Sequence, residues 1–200
     1  AAGKGRILSD SEIKLENGTG NTAIYAAATG NSTNKTVTAK SVTSTNTVNS
    51  IGIFADNGAY VELTDGMTMT GASVSNNPSE RIVDNRIPTH PVVYGGENSG
   101  AVYAKNGSTV VINKTAPQTS ANVDITGKEI IDPLTGAATG NYAGFGLYAA
   151  DGSKINARNN YVKVTNGGTA IASTGNASSE VDLTGGTVEY DGKGYALHSA

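Results

Sequence analysis

The chain has 200 residues, of which 26 are glycine, none is cysteine or tryptophan, and 16% are charged. A formal net charge of -3 argues against nucleic acid as a partner, because such binding needs a basic surface. The sequence also contains no apolar run of about 20 residues, the length needed to span a membrane. Hydrophobic residues make up 37% of the chain and recur at the spacing typical of strands, which indicates a folded chain rather than low-complexity disorder.

One motif recurs along the chain: two small or apolar residues, an aromatic residue, an alanine and then a turn. Clear copies lie at 23–26, 52–55, 101–104 and 146–149, with degenerate copies at 170–173 and 195–198. The last three copies are about 23 to 25 residues apart, near the lower end of known repeat periods. The earlier intervals of about 45 and 49 residues predict two coils each, one of them divergent or enlarged.

Two further classes of short segment alternate apolar and polar residues, as strands with one buried face do. One class begins at Val37, Val61, Val110, Ile155 and Val181, and the other at Ile13, Met67, Val123, Val162 and Val188. Asn-Gly and Asp-Gly pairs between them supply the positive φ angles of tight turns. The pattern predicts a right-handed parallel β-helix of six to seven three-strand coils of about 23 residues each.

All five prolines lie in two stretches, at about 75–100 and 113–141, which we predict to be insertions because proline cannot donate to a strand ladder. Long loops on a rigid scaffold often carry function. The first stretch therefore supplies the candidate ligand-binding residues Arg81, Asp84, Arg86, His90 and Tyr94. Tolerated variation in loop length is the alternative explanation.

The aromatic residues of the repeated motif form a second candidate site. If Ile24, Ile53, Val102 and Leu147 face inward, then Tyr25, Phe54, Tyr103 and Tyr148 face outward and form a possible sugar-binding strip. In the alternative interpretation, the rings shield the ladder, cap a corner or belong to the core.

No catalytic signature is present in the sequence: it has no cysteine nucleophile, zinc-protease motif, phosphate-binding loop or calcium loop. We therefore expect no enzymatic activity, no metal and no cofactor. A polysaccharide lyase or glycosidase on this scaffold is the alternative, and it would need paired carboxylates. The outward candidates Glu62, Asp124, Asp182 and Glu189 are spread over several coils and strands.

Two segments carry a resemblance to a known family: Gly-Leu-Tyr-Ala-Ala-Asp-Gly-Ser at 146–153 and Val-Asp-Leu-Thr-Gly-Gly-Thr-Val at 181–188. They resemble the passenger domains of classical type V autotransporters of Gram-negative bacteria, in particular the large fusobacterial adhesins. The resemblance implies an extracellular passenger at the outer membrane that adheres to a host-cell receptor or glycan, or to partner bacteria. A purely structural spacer within a longer adhesin is the remaining alternative.

Residues 1–200 begin without methionine and without a leader, and they stop within the repeated motif. We therefore expect one segment of a longer β-helical solenoid. The alternative is a chain trimmed to its ordered part.

Overall fold

The computed structural model describes residues 5–28, 36–75, 99–131, 135–175 and 177–200, in which all regular structure is β. Eighteen of the strands form three parallel sheets of six. The first sheet contains β1 (Ile7–Leu8), β4 (Val37–Ala39), β7 (Tyr60–Leu63), β10 (Thr109–Ile112), β15 (Lys154–Asn156) and β18 (Glu180–Asp182).

The second sheet contains β2 (Glu12–Glu16), β5 (Ser41–Thr45), β8 (Met67–Ser73), β11 (Val123–Thr126), β16 (Tyr161–Thr165) and β19 (Thr187–Tyr190). The third contains β3 (Thr22–Ala27), β6 (Ile51–Asp56), β9 (Gly100–Ala104), β14 (Phe145–Ala150), β17 (Gly168–Thr174) and β20 (Gly194–Ser199). An antiparallel pair, β12 (Lys128–Ile131) and β13 (Ala138–Ala143), stands apart from these sheets.

Each coil contributes one strand to each sheet, and each strand pairs in parallel with its counterpart in the next coil. In the first sheet Val61 pairs with Val37 on one side and with Val110 on the other. In the third sheet Val102 pairs likewise with Ile53 and Leu147. The predicted parallel β-helix with three-strand coils is therefore confirmed. At a strand spacing of about 4.8 Å, the six coils span about 30 Å.

The main core is a column of aliphatic side chains enclosed by the three sheets. Val61, Met69, Val102 and Leu147 are each no more than 1% exposed and belong to this one cluster. The predicted orientation of the repeated motif is confirmed, since its branched aliphatic residue and its alanine both lie in the main core. A single coil buries few side chains, so the stacking of coils supplies the core.

The small residue that opens the repeated motif lies where the third sheet bends. Ala101 and Val102 are consecutive, yet both belong to the main core, so strict strand alternation is interrupted there. A Cβ added to Gly52 would lie 1.9 Å from Met67 Cε and 2.7 Å from Ala101 O. The motif therefore uses glycine or alanine at this position because the bend leaves no room for a larger side chain.

Tight turns with positive φ join the third sheet to the first. Asn57, Asn106 and Asp151 have φ angles of 53°, 54° and 52°, and the glycine that follows each is also at positive φ. These turns were predicted from their Asn-Gly and Asp-Gly pairs. They are stacked in successive coils, because the strands that they connect pair with one another.

The long intervals between motif copies were interpreted wrongly. β6 pairs directly with β9, and β9 pairs directly with β14, so no extra coil lies between them. Each interval of about 45 or 49 residues is one coil enlarged by additional chain, and the described strands form six coils. The interpretation failed because each addition happens to be about as long as one coil.

The structure also divides the second predicted insertion. β11 lies within 113–141 but is a regular rung that pairs with β8 and β16. The extra chain in this coil consists of an extended turn before β11 and the β12–β13 hairpin after it. Within the described residues, no helix is long and apolar enough to cross a membrane.

Candidate functional site

Both insertions leave the column at the same corner, between the second and third sheets. The first lies between β8 and β9, and the hairpin lies between β11 and β14. Because β8 pairs with β11 and β9 pairs with β14, these two departures are in adjacent coils. The two points of departure therefore lie about 4.8 Å apart along the axis. We call this region the insertion corner.

The hairpin leaves and re-enters the column at one point. A Cβ on Gly144 would lie 2.9 Å from the Cα of Gly127, so the two ends of the hairpin touch. Tyr142 packs against the column, because a Cβ on Gly167 would lie 2.4 Å from its ring atom Cδ1. Farther out, the N–H of Gly140 donates to Glu129 Oε1 at 3.2 Å.

Several described residues of the hairpin are exposed to solvent. Lys128, Thr135 and Gly136 are exposed, and Ile131 retains 37% of its accessible surface. The closed base and these exposed residues make the hairpin an accessible addition to the column.

The residues on either side of the first insertion make buried or half-buried polar contacts with the column. The N–H of Ser75 donates to Asn49 Oδ1 at 2.9 Å, and Ser99 Oγ accepts a hydrogen bond from the N–H of Ser50 at 3.2 Å. Ser99 Oγ also donates to the carbonyl of Ser73. The candidate binding residues Arg81, Asp84, Arg86, His90 and Tyr94 lie between these contacts in sequence and outside the described residues.

The aromatic residues of the motif stack on the outer face of the third sheet. Ring centroids are 5.4 Å apart for Tyr25 and Phe54, 5.2 Å for Phe54 and Tyr103, and 5.0 Å for Tyr103 and Tyr148. Phe145 meets the last two rings edge-on, each at 6.2 Å. We call these five rings the aromatic column.

The interpretation in which the four motif rings form an exposed strip is wrong for three of them, and these three agree with the alternative in which the rings shield the ladder. Phe54, Tyr103 and Tyr148 are 0%, 2% and 8% exposed, whereas Tyr25 is 37% exposed. Phe54, Tyr103 and Tyr148 form a second buried cluster with Ile51 and Phe145. Ile51 faces this cluster because the bend at Gly52 and Ile53 reverses the alternation that would otherwise turn it inward. The inaccessible rings stabilise the sheet and do not offer a sugar-binding face.

A charged pair borders the aromatic column. Lys105 Nζ lies 3.5 Å from Asp56 Oδ2 and 5.6 Å from the centre of the Phe54 ring, and the two charged side chains are 12% and 9% exposed. The other carboxylate oxygen, Asp56 Oδ1, accepts hydrogen bonds at 2.8 Å from the N–H of Asn57 and from Asn106 Nδ2. Burial, followed by the neighbouring Tyr148, raises the pKa of Tyr103.

A buried asparagine pair marks another corner of the column, between the first and second sheets. Asn122 Nδ2 donates to Met67 O at 2.9 Å and to Asn160 Oδ1 at 2.8 Å, while its Oδ1 accepts from the N–H of Tyr161 at 2.7 Å. Asn160 Nδ2 in turn donates to the carbonyl of Ala157 at 2.9 Å. Because the hydrogen bonds of these side chains are made within the column, the two asparagines stabilise the corner rather than bind a ligand.

The outward carboxylates lie on different faces. Glu62 and Asp182 belong to the first sheet, and Asp124 and Glu189 to the second, where Lys163 lies between them in register. Lys163 Nζ is 2.8 Å from Glu189 Oε1, and this contact, together with the Tyr161 hydroxyl, lowers the pKa of Glu189.

Asp182 is also held in its ionised form. The hydroxyl and N–H of Thr184, with a smaller contribution from Arg158, lower the pKa of Asp182 to about 2. A general acid requires the opposite shift, so neither Asp182 nor Glu189 suits that role. No group of three or more potential metal ligands is found in the described parts of the chain.

Sequence reasoning did not find several residues that build this region. Ile51 and Phe145 were overlooked because they lie outside the motif, and the Asp56–Lys105 pair is separated by 49 residues in sequence. The location of the insertions between the same strand classes in neighbouring coils was a usable signal. It could have predicted their common corner.

No protein-family model matches the chain, and neither the curated proteins nor the solved structures include a match.

Proposed function

We propose that this chain is a surface-displayed adhesin segment that binds a host-cell or bacterial surface ligand non-covalently at the insertion corner. The observation that carries this proposal is the departure of both insertions from one corner in adjacent coils. A regular column that carries two additions at one corner has the organisation of a scaffold with a recognition surface. The resemblance of 146–153 and 181–188 to autotransporter passengers supports an extracellular location at the outer membrane of a Gram-negative bacterium.

The structure of the hairpin base favours a role in ligand recognition over simple variation in loop length. Gly127 and Gly144 close the hairpin against the column, and Tyr142 packs on Gly167, so the base of the hairpin is restrained. The exposed residues of the hairpin then meet a ligand without a large loss of conformational entropy. Protein and glycan ligands are both compatible with this surface.

The test removes each insertion while leaving the column intact. In one variant residues 76–98 are replaced by a short glycine linker, and in a second residues 128–143 are replaced in the same way. Ser99 already contacts Ser73, and Gly127 already contacts Gly144, so both junctions are short. We expect both variants to keep a β-sheet circular dichroism spectrum and to lose at least about tenfold in affinity for the target cells, which is about 1.4 kcal/mol.

The matched control is Lys154→Gln on the first sheet, away from the insertion corner, where the lysine side chain is 63% exposed. Its attachment to target cells should equal that of the unaltered chain. Unchanged attachment by both folded deletion variants would refute the insertion corner as the binding site and would favour a spacer role.

A further inference from the structure

The sequence contains four Asn-Gly pairs, each at a corner of the column: Asn17-Gly18, Asn57-Gly58, Asn106-Gly107 and Asn166-Gly167. All four asparagines are exposed and have positive φ angles, between 52° and 60°. They therefore share the same dipeptide, a similar exposure and a similar backbone conformation. Any difference in their chemistry must come from their contacts.

An Asn-Gly pair can modify itself without an enzyme. The glycine backbone nitrogen attacks Asn Cγ, so an N–Cγ bond forms, the Cγ–Nδ2 bond breaks, and ammonia leaves with the proton of the glycine amide. The product is a five-membered succinimide. Water opens this ring at either carbonyl, which yields aspartate or isoaspartate. Glycine favours the attack because it has no side chain to hinder the approach.

Hydrogen bonding of the attacking amide separates the four pairs into two groups. The N–H of Gly107 donates to Asp151 O at 3.0 Å, and the N–H of Gly167 donates to Asp191 O at 3.1 Å. The N–H groups of Gly18 and Gly58 donate to no acceptor in the described part of the chain. Asn106 is restrained further, since its Nδ2 is held by Asp56 Oδ1 at 2.8 Å.

We infer that Asn57 and Asn17 are sites of spontaneous deamidation in the folded protein, and that Asn106 and Asn166 are protected. A glycine amide that is hydrogen-bonded to the next coil must first break that bond before it can attack. One hydrogen bond reduces the reactive population about fivefold. The turns at Asn57 and Asn106 occupy the same corner in adjacent coils, so they form a natural matched pair.

A turn in another coil shows that the aspartate product of Asn57 fits the corner between the third and first sheets. Asp151-Gly152 occupies the equivalent turn one coil beyond Asn106, with φ angles of 52° and 78°. The isoaspartate product differs, because it adds a methylene group to the main chain of the turn that Ala59 N and Asp56 O close at 3.2 Å. Either product of Asn57 adds a carboxylate to the residue whose N–H donates to Asp56 Oδ1 at 2.8 Å.

The experiment follows all four sites at once in the unaltered 200-residue chain. The folded protein is kept at body temperature in mildly alkaline buffer, sampled over several weeks and digested with trypsin. Cleavage after lysine and arginine places the four pairs in separate fragments: 15–35, 41–81, 106–114 and 164–193. Mass spectrometry gives the deamidated fraction of each fragment, and enzymatic methylation detects isoaspartate.

We expect deamidation at Asn57 and Asn17 to be about fivefold faster than at Asn106 and Asn166. In concentrated urea the four rates should converge, since only the folded state distinguishes them. The variant Asn57→Gly, which suits the positive φ of this turn, should remove the fast signal from fragment 41–81 and leave the other three rates unchanged. Equal rates at all four sites in the folded chain, or no product at Asn57, would overturn the inference.

Discussion

The carboxylate of Asp182 is held by contacts to both of its oxygens. Its Oδ1 accepts from the N–H of Thr184 at 2.9 Å, and its Oδ2 accepts from Arg158 Nε at 2.6 Å. The Thr184 hydroxyl, the Thr184 N–H and Arg158 all favour the ionised form, so together they lower the pKa of Asp182 from its ordinary value of 3.8 to about 2. Folding therefore favours the deprotonated carboxylate.

This shift predicts a dependence of stability on acidity. Because the folded-state pKa is the lower one, the stabilisation is present above pH 3.8 and is lost as pH falls towards about 2. The variant Asp182→Asn should lose less stability than the unaltered chain across this interval. Urea unfolding at a series of pH values measures the effect, which remains modest because Arg158 is exposed to water.

The control for this prediction is Glu180→Gln in the same strand, β18. Glu180 pairs with Lys154 at 3.6 Å, and both side chains are more than 60% exposed. This variant should retain the acid dependence of the unaltered chain. If Asp182→Asn and the unaltered chain show the same loss between pH 3.8 and about 2, the contacts of Asp182 do not contribute to folding.

At the scale of the element, the aromatic column ties four successive strands of the third sheet together. Tyr103 lies between Phe54 and Tyr148, with centroid distances of 5.2 Å and 5.0 Å, and is 2% exposed. Tyr25 belongs to the same column but lies at its end and is 37% exposed. The two tyrosines offer the same substitution in two environments.

We expect Tyr103→Ala to lower the free energy of unfolding by about 3 kcal/mol or more, because it removes a buried ring and leaves a cavity. Tyr25→Ala should cost about 1 kcal/mol, since much of that ring is already in water. Urea denaturation followed by circular dichroism gives both values. Equal effects of the two substitutions would mean that the column does not stabilise the sheet by stacking.

Local alternation was enough to predict the strand classes and the orientation of the motif, but not the burial of its rings. Alternation fixes which side of a strand faces the main core, and the structure agrees at Val102 and Ala104. It cannot reveal that the outer side is also buried. That burial depends on Ile51 and Phe145, which reach the outer face through a bend that the alternating pattern does not contain.

At the scale of the whole molecule, the number of coils was ambiguous because sequence spacing does not separate a coil from an insertion. Between Ala55 and Ala104 the chain completes one coil and also carries extra residues between β8 and β9. Proline positions identified that extra chain, since proline is excluded from ladders. For the candidate site, the sequence predicted additions to the column but not their shared corner, which depends on strand pairing between distant residues.

The six coils also differ in how well they are buried. Ile53, Val102 and Leu147 in the middle coils are at most 1% exposed, whereas Ile7 and Leu197 in the first and last coils are 50% and 69% exposed. In a solenoid each coil contacts only its neighbours, so a coil with one neighbour has fewer stabilising contacts than a coil with two. Within the 200-residue chain, stability is therefore expected to decrease from the middle coils towards the first and last described coils.

Hydrogen exchange measures this gradient strand by strand. β14 and β20 both belong to the third sheet and contain six residues each, but β14 pairs on both sides and β20 pairs only with β17 among the described strands. We expect the amides of β14 to exchange at least about tenfold more slowly than those of β20, because terminal coils open without the rest of the column. Low concentrations of urea should accelerate exchange in β20 before β14. If instead all strands exchange at one rate that follows global unfolding, the column is a single cooperative unit and the coil-by-coil description of its stability is wrong.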